Sequence, residues 1–255
     1  MKKWLNYFEH NRTHRRTVDW DQPLEIAAPP LRAALIRSLQ KFQIGESGEG
    51  RHLRKKAAAA GDPVYQAAID LFIKEEQEHA RLMAAILHKL KGRLLHAHWS
   101  DGCFILLRRL FGLHHELLVL LMPEMIAKRY FRALRDAFNH PTLRAVFEQI
   151  LSDEEGHLAF HVDYLQRAFA SASLPGRAIV RAIWRCLFRL ACLVVILDHH
   201  AILKGTGVSS AKFWWDCGLI FDEVAAGIFS CAPTPAIDRI AVPFQPETLA
   251  APKPV

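Results

Sequence analysis

Apolar residues recur at three- and four-residue spacing along most of the chain, and no run alternates convincingly enough to read as a strand. From residue 31 to about 60 the pattern is helical, and Gly61-Asp62-Pro63 stops it. Pro63 suits the first position of a second helix running to about residue 91, because proline's missing N–H is unpaired there anyway. A connection follows, with Ser100 and Asp101 as cap candidates for a long helical stretch that ends near residues 139–141. Gly112 and Pro123 are its expected break or kink points. Pro141 opens another helix to about residue 170, a fifth spans 176–203, and a sixth lies within 209–229. The chain reads as all-α.

That pattern divides the chain into four parts. Residues 1–30, ending at Pro29-Pro30, read as an irregular lead-in; 31–170 form a helical bundle; 171–231 add C-terminal helices packed on it; and 232–255 make a proline-rich irregular tail.

The bundle contains a repeat. Shifting the chain by 78 residues lays 42–82 on 120–160 without a gap. Glu46 then meets Glu124, Pro63 meets Pro141, Glu76 meets Glu154 and His79 meets His157. Two helical hairpins always share some residues. The weight here comes from turn prolines and polar residues inside apolar stripes keeping one register.

Those polar residues sit where core is expected. The helical neighbours of Glu76 include Tyr65, Ile69, Phe72, Ile73 and Met83; those of Glu154 include Phe147, Ile150, Leu151 and Leu158. Glu124 lies among Leu117, Leu120, Leu121 and Phe131, and Glu46 among Leu39, Phe42 and Leu53. Four carboxylates and two imidazoles therefore point inward. A buried carboxylate costs several kcal/mol unless its charge is compensated, and four together repel. A pair of divalent metals supplies the missing charge. The spacing agrees: Glu76-x-x-His79 and Glu154-x-x-His157 each set two ligands on one helix face, and Glu46 and Glu124 each precede the motif glutamate by 30 residues. Loss of the metal, leaving a satisfied polar network, is the competing reading.

Composition narrows the chemistry. Of the 255 residues 51% are hydrophobic, enough to exclude a wholly disordered chain. The five cysteines form no CxxC pair, so a zinc ribbon or rubredoxin-type iron site is unsupported, and their scatter fits a reducing cytoplasm. The N-terminus lacks the apolar region of a secretory signal. The most apolar run, 190–197, is far short of the ~20 residues a spanning helix needs. The expected location is cytoplasmic, with a peripheral membrane position left open. A formal charge of +7 favours acidic partners without selecting one.

On Glu46, Glu76-x-x-His79, Glu124 and Glu154-x-x-His157, the segment from about 31 to 169 resembles the ferritin-like di-iron carboxylate superfamily. The resemblance implies a ferritin-like four-helix bundle of two repeated hairpins with a crossover at about 92–114. It implies two iron ions, or iron with manganese, that react with dioxygen or peroxide. Glu76 and Glu154 would be the carboxylates able to bridge metals, Glu46 and Glu124 terminal ligands, and His79 and His157 would bind one metal each. Rubrerythrin-like peroxidases usually carry paired CxxC motifs, absent here, so electrons must come from an external donor protein. Some arylamine N-oxygenases of the superfamily have a third metal-bound histidine where this chain has Ile150. Storage ferritins are shorter and need acidic inner surfaces. The expectation is an oxygenase or oxidase that uses dioxygen on a small organic, apolar substrate. The alternatives are an iron-handling or peroxide-scavenging protein, or a structural bundle. A homodimer is a further expectation.

Other residues have two readings each. Glu49 rivals Glu46 as ligand, but the repeat pairs it with Ala127, so Glu46 is favoured and Glu49 assigned to the pocket lining. Glu75 and Asp153 are either solvated charges or hydrogen-bond partners for a ligand histidine of the facing helix. Tyr65 and Tyr130 read as core rather than redox-active phenols, His161 as a wall residue rather than a third ligand, and His199-His200 as a cap rather than part of a substrate channel. Arg177, Arg181, Arg185 and Arg189 form a ridge opposite Ile179, Ile183, Leu187, Leu190 and Leu193. The common arrangement puts the arginines in water; the functional one makes them a docking surface for a membrane or anionic partner.

Overall fold

The computed structural model describes residues 1–230; the expected proline-rich tail lies outside them. The described residues are helical with no strand, in the order α1 (Lys2–Thr13), α2 (Pro29–Glu46), α3 (Arg51–Ala59), α4 (Pro63–Lys89), α5 (Trp99–Arg109), α6 (Leu113–Ala137), α7 (Pro141–Phe169), α8 (Leu174–Asp198), α9 (His200–Gly205) and α10 (Ser210–Phe229). Proline occupies the first turn of α2, α4, α7 and α8. The Asp62 side chain caps α4 by accepting from the N–H groups of Val64 and Tyr65 at 2.9 and 3.0 Å.

Four boundaries differ from the sequence pattern. The lead-in is not irregular throughout, because α1 packs against α4. Trp4, Phe8 and Asn11 lie one turn apart on its inner side, and Arg15 follows just past its end; this stripe is too short to stand out beside the basic residues around it. The 31–60 pattern splits into α2 and α3 around Gly48 and Gly50, the latter at φ +66°. The long stretch after residue 100 breaks before Gly112, whereas α6 runs through Pro123; Ser100 and Asp101 lie in the first turn of α5, and neither caps it. The fifth helix stops at Asp198 because His199 leaves helical geometry and turns its ring inward to Ser38.

The long helices pack pairwise, α2 on α4 and α6 on α7, and the pairs meet through α4 and α7. Phe72, Tyr130, Phe131, Phe147 and Phe160 fill the core between them. The C-terminal α10 packs on α6, α7 and α8. The orientation of α8 reverses the expected one. Trp184, Phe188, Cys192 and Ile196 are its buried stripe, while Ile179, Ile183, Leu190 and Leu193 are exposed. Leu187 is half-buried. The arginines turn aside toward neighbours: Arg177 is buried against the carbonyls of Ala170 and Ala172, Arg181 and Arg185 pair with Asp222 of α10, and Arg189 donates to the Trp214 carbonyl at 2.8 Å. A helix this apolar has two greasy faces, and the one carrying Trp184 and Phe188 has the larger side chains to bury.

Candidate metal centre

All six residues singled out by the repeat converge. Glu46 ends α2, Glu124 lies mid-α6, and α4 and α7 each contribute a Glu-x-x-His pair. Two sets can each hold a cation: Glu46, Glu76 and His79, and Glu76, Glu124 and His157, with ligand atoms in each set within 4.8 Å of one another. Glu76 belongs to both. Its Oε1 lies 3.0 Å from His157 Nδ1 and 3.7 Å from His79 Nδ1. Glu154 also sits between the imidazoles, with Oε1 3.8 Å from His79 Nδ1 and Oε2 3.9 Å from His157 Nδ1. His157 Nδ1 is 3.3 Å from Glu124 Oε2.

The far nitrogens are held by the helix opposite. Asp153 of α7 takes His79 Nε2 at 3.0 Å, and Glu75 of α4 takes His157 Nε2 at 3.0 Å. With Nε2 held outward, each ring presents Nδ1 to the carboxylates. The second reading of Glu75 and Asp153 is therefore the one their contacts fit, and neither is a solvated charge.

The protonation pattern reveals the strain in this cluster. Burial, then the charges of Glu76 and Glu124, push the Glu46 carboxyl well above the usual range. Glu154 is raised in the same way by burial and by Glu124, and Glu76 by burial and Glu124. Glu124 goes down to about 2: burial raises it, but hydrogen bonds with Glu154 and His157 outweigh that. His157 is raised well above an ordinary histidine. Burial opposes its charge, yet Glu76 and the hydrogen bonds to Glu124, Glu75 and Glu76 prevail. Protons here take the place of positive charge. Buried His79 Nδ1 and Glu154 Oε2 have no hydrogen-bond partner, and both face the carboxylate cluster. Imidazole nitrogen and carboxylate oxygen together can hold a divalent metal ion.

A further layer was invisible to motif reading. Asn11 of α1 donates to Glu75 and Asp153, each at 3.1 Å, and Arg15 pairs with Asp153 at 2.8 Å and Glu75 at 3.5 Å. Gln149 adds a bond to Asp153 at 2.9 Å. The helix comes this close because Gly156, inside the second Glu-x-x-His, has no Cβ; one there would overlap the Tyr7 ring. The only sequence signal was the Trp4–Phe8–Asn11–Arg15 stripe.

The rival residues lie elsewhere. Glu49 is 69% exposed and pairs with Arg51, so it neither replaces Glu46 nor lines the pocket. Tyr65 stacks on Tyr164 and Tyr130 on Phe42, both fully buried. His161 packs edge-on against Phe72, its pKa lowered by burial to about 3, as a wall residue. His199 is no mere cap: its Nδ1 lies 2.6 Å from Ser38 Oγ and its ring borders a cavity.

That cavity, about 440 Å³, lies between α2, α4, α5, α6 and α8. Glu46, Glu76 and Glu124 stand on its wall among apolar residues such as Phe42, Phe72, Leu107, Leu120, Ile126 and Leu190. Glu46 and Glu76 are only half-buried because they face this space, whereas Glu124 and Glu154 are covered. Comparison with protein-family models, curated proteins and solved structures gives no match.

Proposed function

We propose that this chain is a non-haem di-iron, or iron–manganese, oxygenase or oxidase with a ferritin-like four-helix core of α2, α4, α6 and α7. Its substrate class is a small apolar organic molecule. The observation that carries the reading is the apolar cavity whose wall includes Glu46, Glu76 and Glu124. An iron-handling protein needs an acidic route, and a purely structural bundle needs no cavity at its charged centre.

When bound, the metal pair supplies redox activation of dioxygen. The residues do the rest. Glu46, Glu76 and His79 would hold one ion, and Glu76, Glu124 and His157 the other, with Glu154 lying between the two imidazoles. Asp153 and Glu75 keep the imidazole protons on Nε2. The apolar wall seats the substrate beside Glu46 and Glu76 and excludes water. Electrons come from an external donor protein, since the chain has no paired-cysteine module.

Anaerobic Fe(II) titration followed by an oxygen pulse tests this. The expected result is about two Fe per chain and an oxygen-dependent absorption change, both lost in Glu76→Ala and Glu154→Ala. Binding of no more than trace metal by the unaltered chain overturns the reading.

A further inference from the structure

Among the described residues thirteen large apolar side chains are exposed, and all but Leu94, in the connection after α4, lie in or directly beside α5, α8 or α10. Among the described residues α1, α2, α3, α4, α6 and α7 expose none. On α8 the stripe Ile179, Ile183, Leu190, Leu193, Leu197 runs for about 27 Å at helical rise. Trp99 of α5 and Trp215 of α10 are 60% and 67% exposed. Scattered apolar residues on a surface are ordinary; their concentration on three helices is not, and of these α8 packs on α10 and shares the cavity lining with α5.

The metal-site cavity runs into the same face. Trp99 and Leu190 belong at once to the exposed set and to the cavity lining. The apolar surface outside is therefore continuous with the apolar wall that carries Glu46 and Glu76. A protein seated on this face would seal the entrance. A fluid apolar phase would extend into it. No described helix is long and apolar enough to cross a membrane, so such contact is with the surface layer. The chain's charge of +7 complements anionic headgroups, and indole rings favour the boundary between headgroup and acyl chain.

We propose that the α5–α8–α10 face docks on an anionic lipid surface and that the cavity takes its apolar substrate from the bilayer. The second half rests on the oxygenase reading; the docking does not. The arginines expected to meet anions are mostly engaged within the protein, and the apolar stripe makes the contact instead.

Flotation of the full chain with vesicles of phosphatidylcholine and phosphatidylglycerol in equal parts tests the docking. The unaltered chain is expected to float, its tryptophan emission to shift to the blue, and acyl chains carrying bromine to quench that emission. Ile183→Gln, Leu190→Gln and Leu193→Gln combined should weaken partitioning about tenfold or more, with the thermal transition retained because these side chains are exposed. Glu78→Gln with Arg81→Gln, on the outer side of α4, should float normally. If the triple variant does not fold, Trp99→Leu with Trp215→Leu must remove most of the bromolipid quenching. Absence of flotation, equal flotation of the triple variant, or quenching unaltered by the tryptophan changes overturns the proposal. So does a stable dimer that the triple variant dissolves, which would assign the face to a second copy. Flotation needs no turnover, so its failure and a failure to load metal are separate results.

Discussion

The two hairpins carry the same candidate ligands in the same register, yet one is a wall and the other a threshold. In α6, 17 of 25 residues are buried. In α2, 5 of 18 are. The 78-residue shift puts Gly45, Gly48 and Gly50 on Pro123, Ile126 and Lys128. The glycines end α2 just past Glu46 and let the chain turn; α6 continues past Glu124 through Met125, Ile126 and Ala127, all buried. The cavity lies against the glycine turn, touching Gly45, Gly48 and Gly50. A duplicated ligand set thus gains an open side when one copy loses helix propensity next to its carboxylate.

Core truncation should separate the hairpins most. Phe147→Ala in α7, fully buried, is expected to cost about 3–5 kcal/mol in denaturant unfolding. Phe42→Ala in α2, already half-buried against the cavity, should cost about 1–2 kcal/mol. Equal losses would mean that the cavity side is as tightly packed as the wall.

The histidine supports offer a finer test. Asp153→Ala removes an acceptor shared by His79, Arg15, Asn11 and Gln149, and should weaken Fe(II) binding about 10–100-fold in an anaerobic titration. Glu75→Ala should act in the same direction, nearer the lower end, because fewer groups depend on it. A larger effect at Glu75 would reverse the assignment.

Gly50→Ala places a Cβ at φ +66° and against Ile73 Cδ1, and is expected to cost about 1–3 kcal/mol in thermal or chemical melts. Lys128→Ala, the matching position of the second hairpin, loses one pair with half-exposed Glu155 and the packing of its buried stem, without backbone strain, and should cost about 1 kcal/mol.

A pH-dependent effect concerns the contact between the hairpins at His199, beside Ser38 and Tyr130. Burial, then Lys41, lower its pKa to about 4. The unfolded chain takes up that proton first. The stabilisation is therefore complete above the unfolded value near 6.5 and is lost as pH falls toward 4. Melting temperatures across that window should fall more steeply for the unaltered chain than for His199→Gln. Parallel slopes would show that His199 is not the group responsible.

The six converging residues were legible because they are charged or polar groups at fixed helical spacing inside apolar stripes, and local sequence displays both. Glu46 over Glu49 followed from register alone, and Glu49 proved to be in solvent. The α1 contacts were not legible. Asn11 and Arg15 meet Glu75 and Asp153 across long separations, and no local pattern encodes which distant helix a polar residue will reach.

By itself, then, the sequence determined the helical class, the repeat and the six converging residues, since all three depend on periodicity within single helices. Tertiary structure decided which greasy face of α8 is buried, where the cavity opens, and that the N-terminal helix braces the histidine supports. Those outcomes are competitions between surfaces for partners. Trp184 and Phe188 won the interior, and Ile183 and Leu190 were left outside.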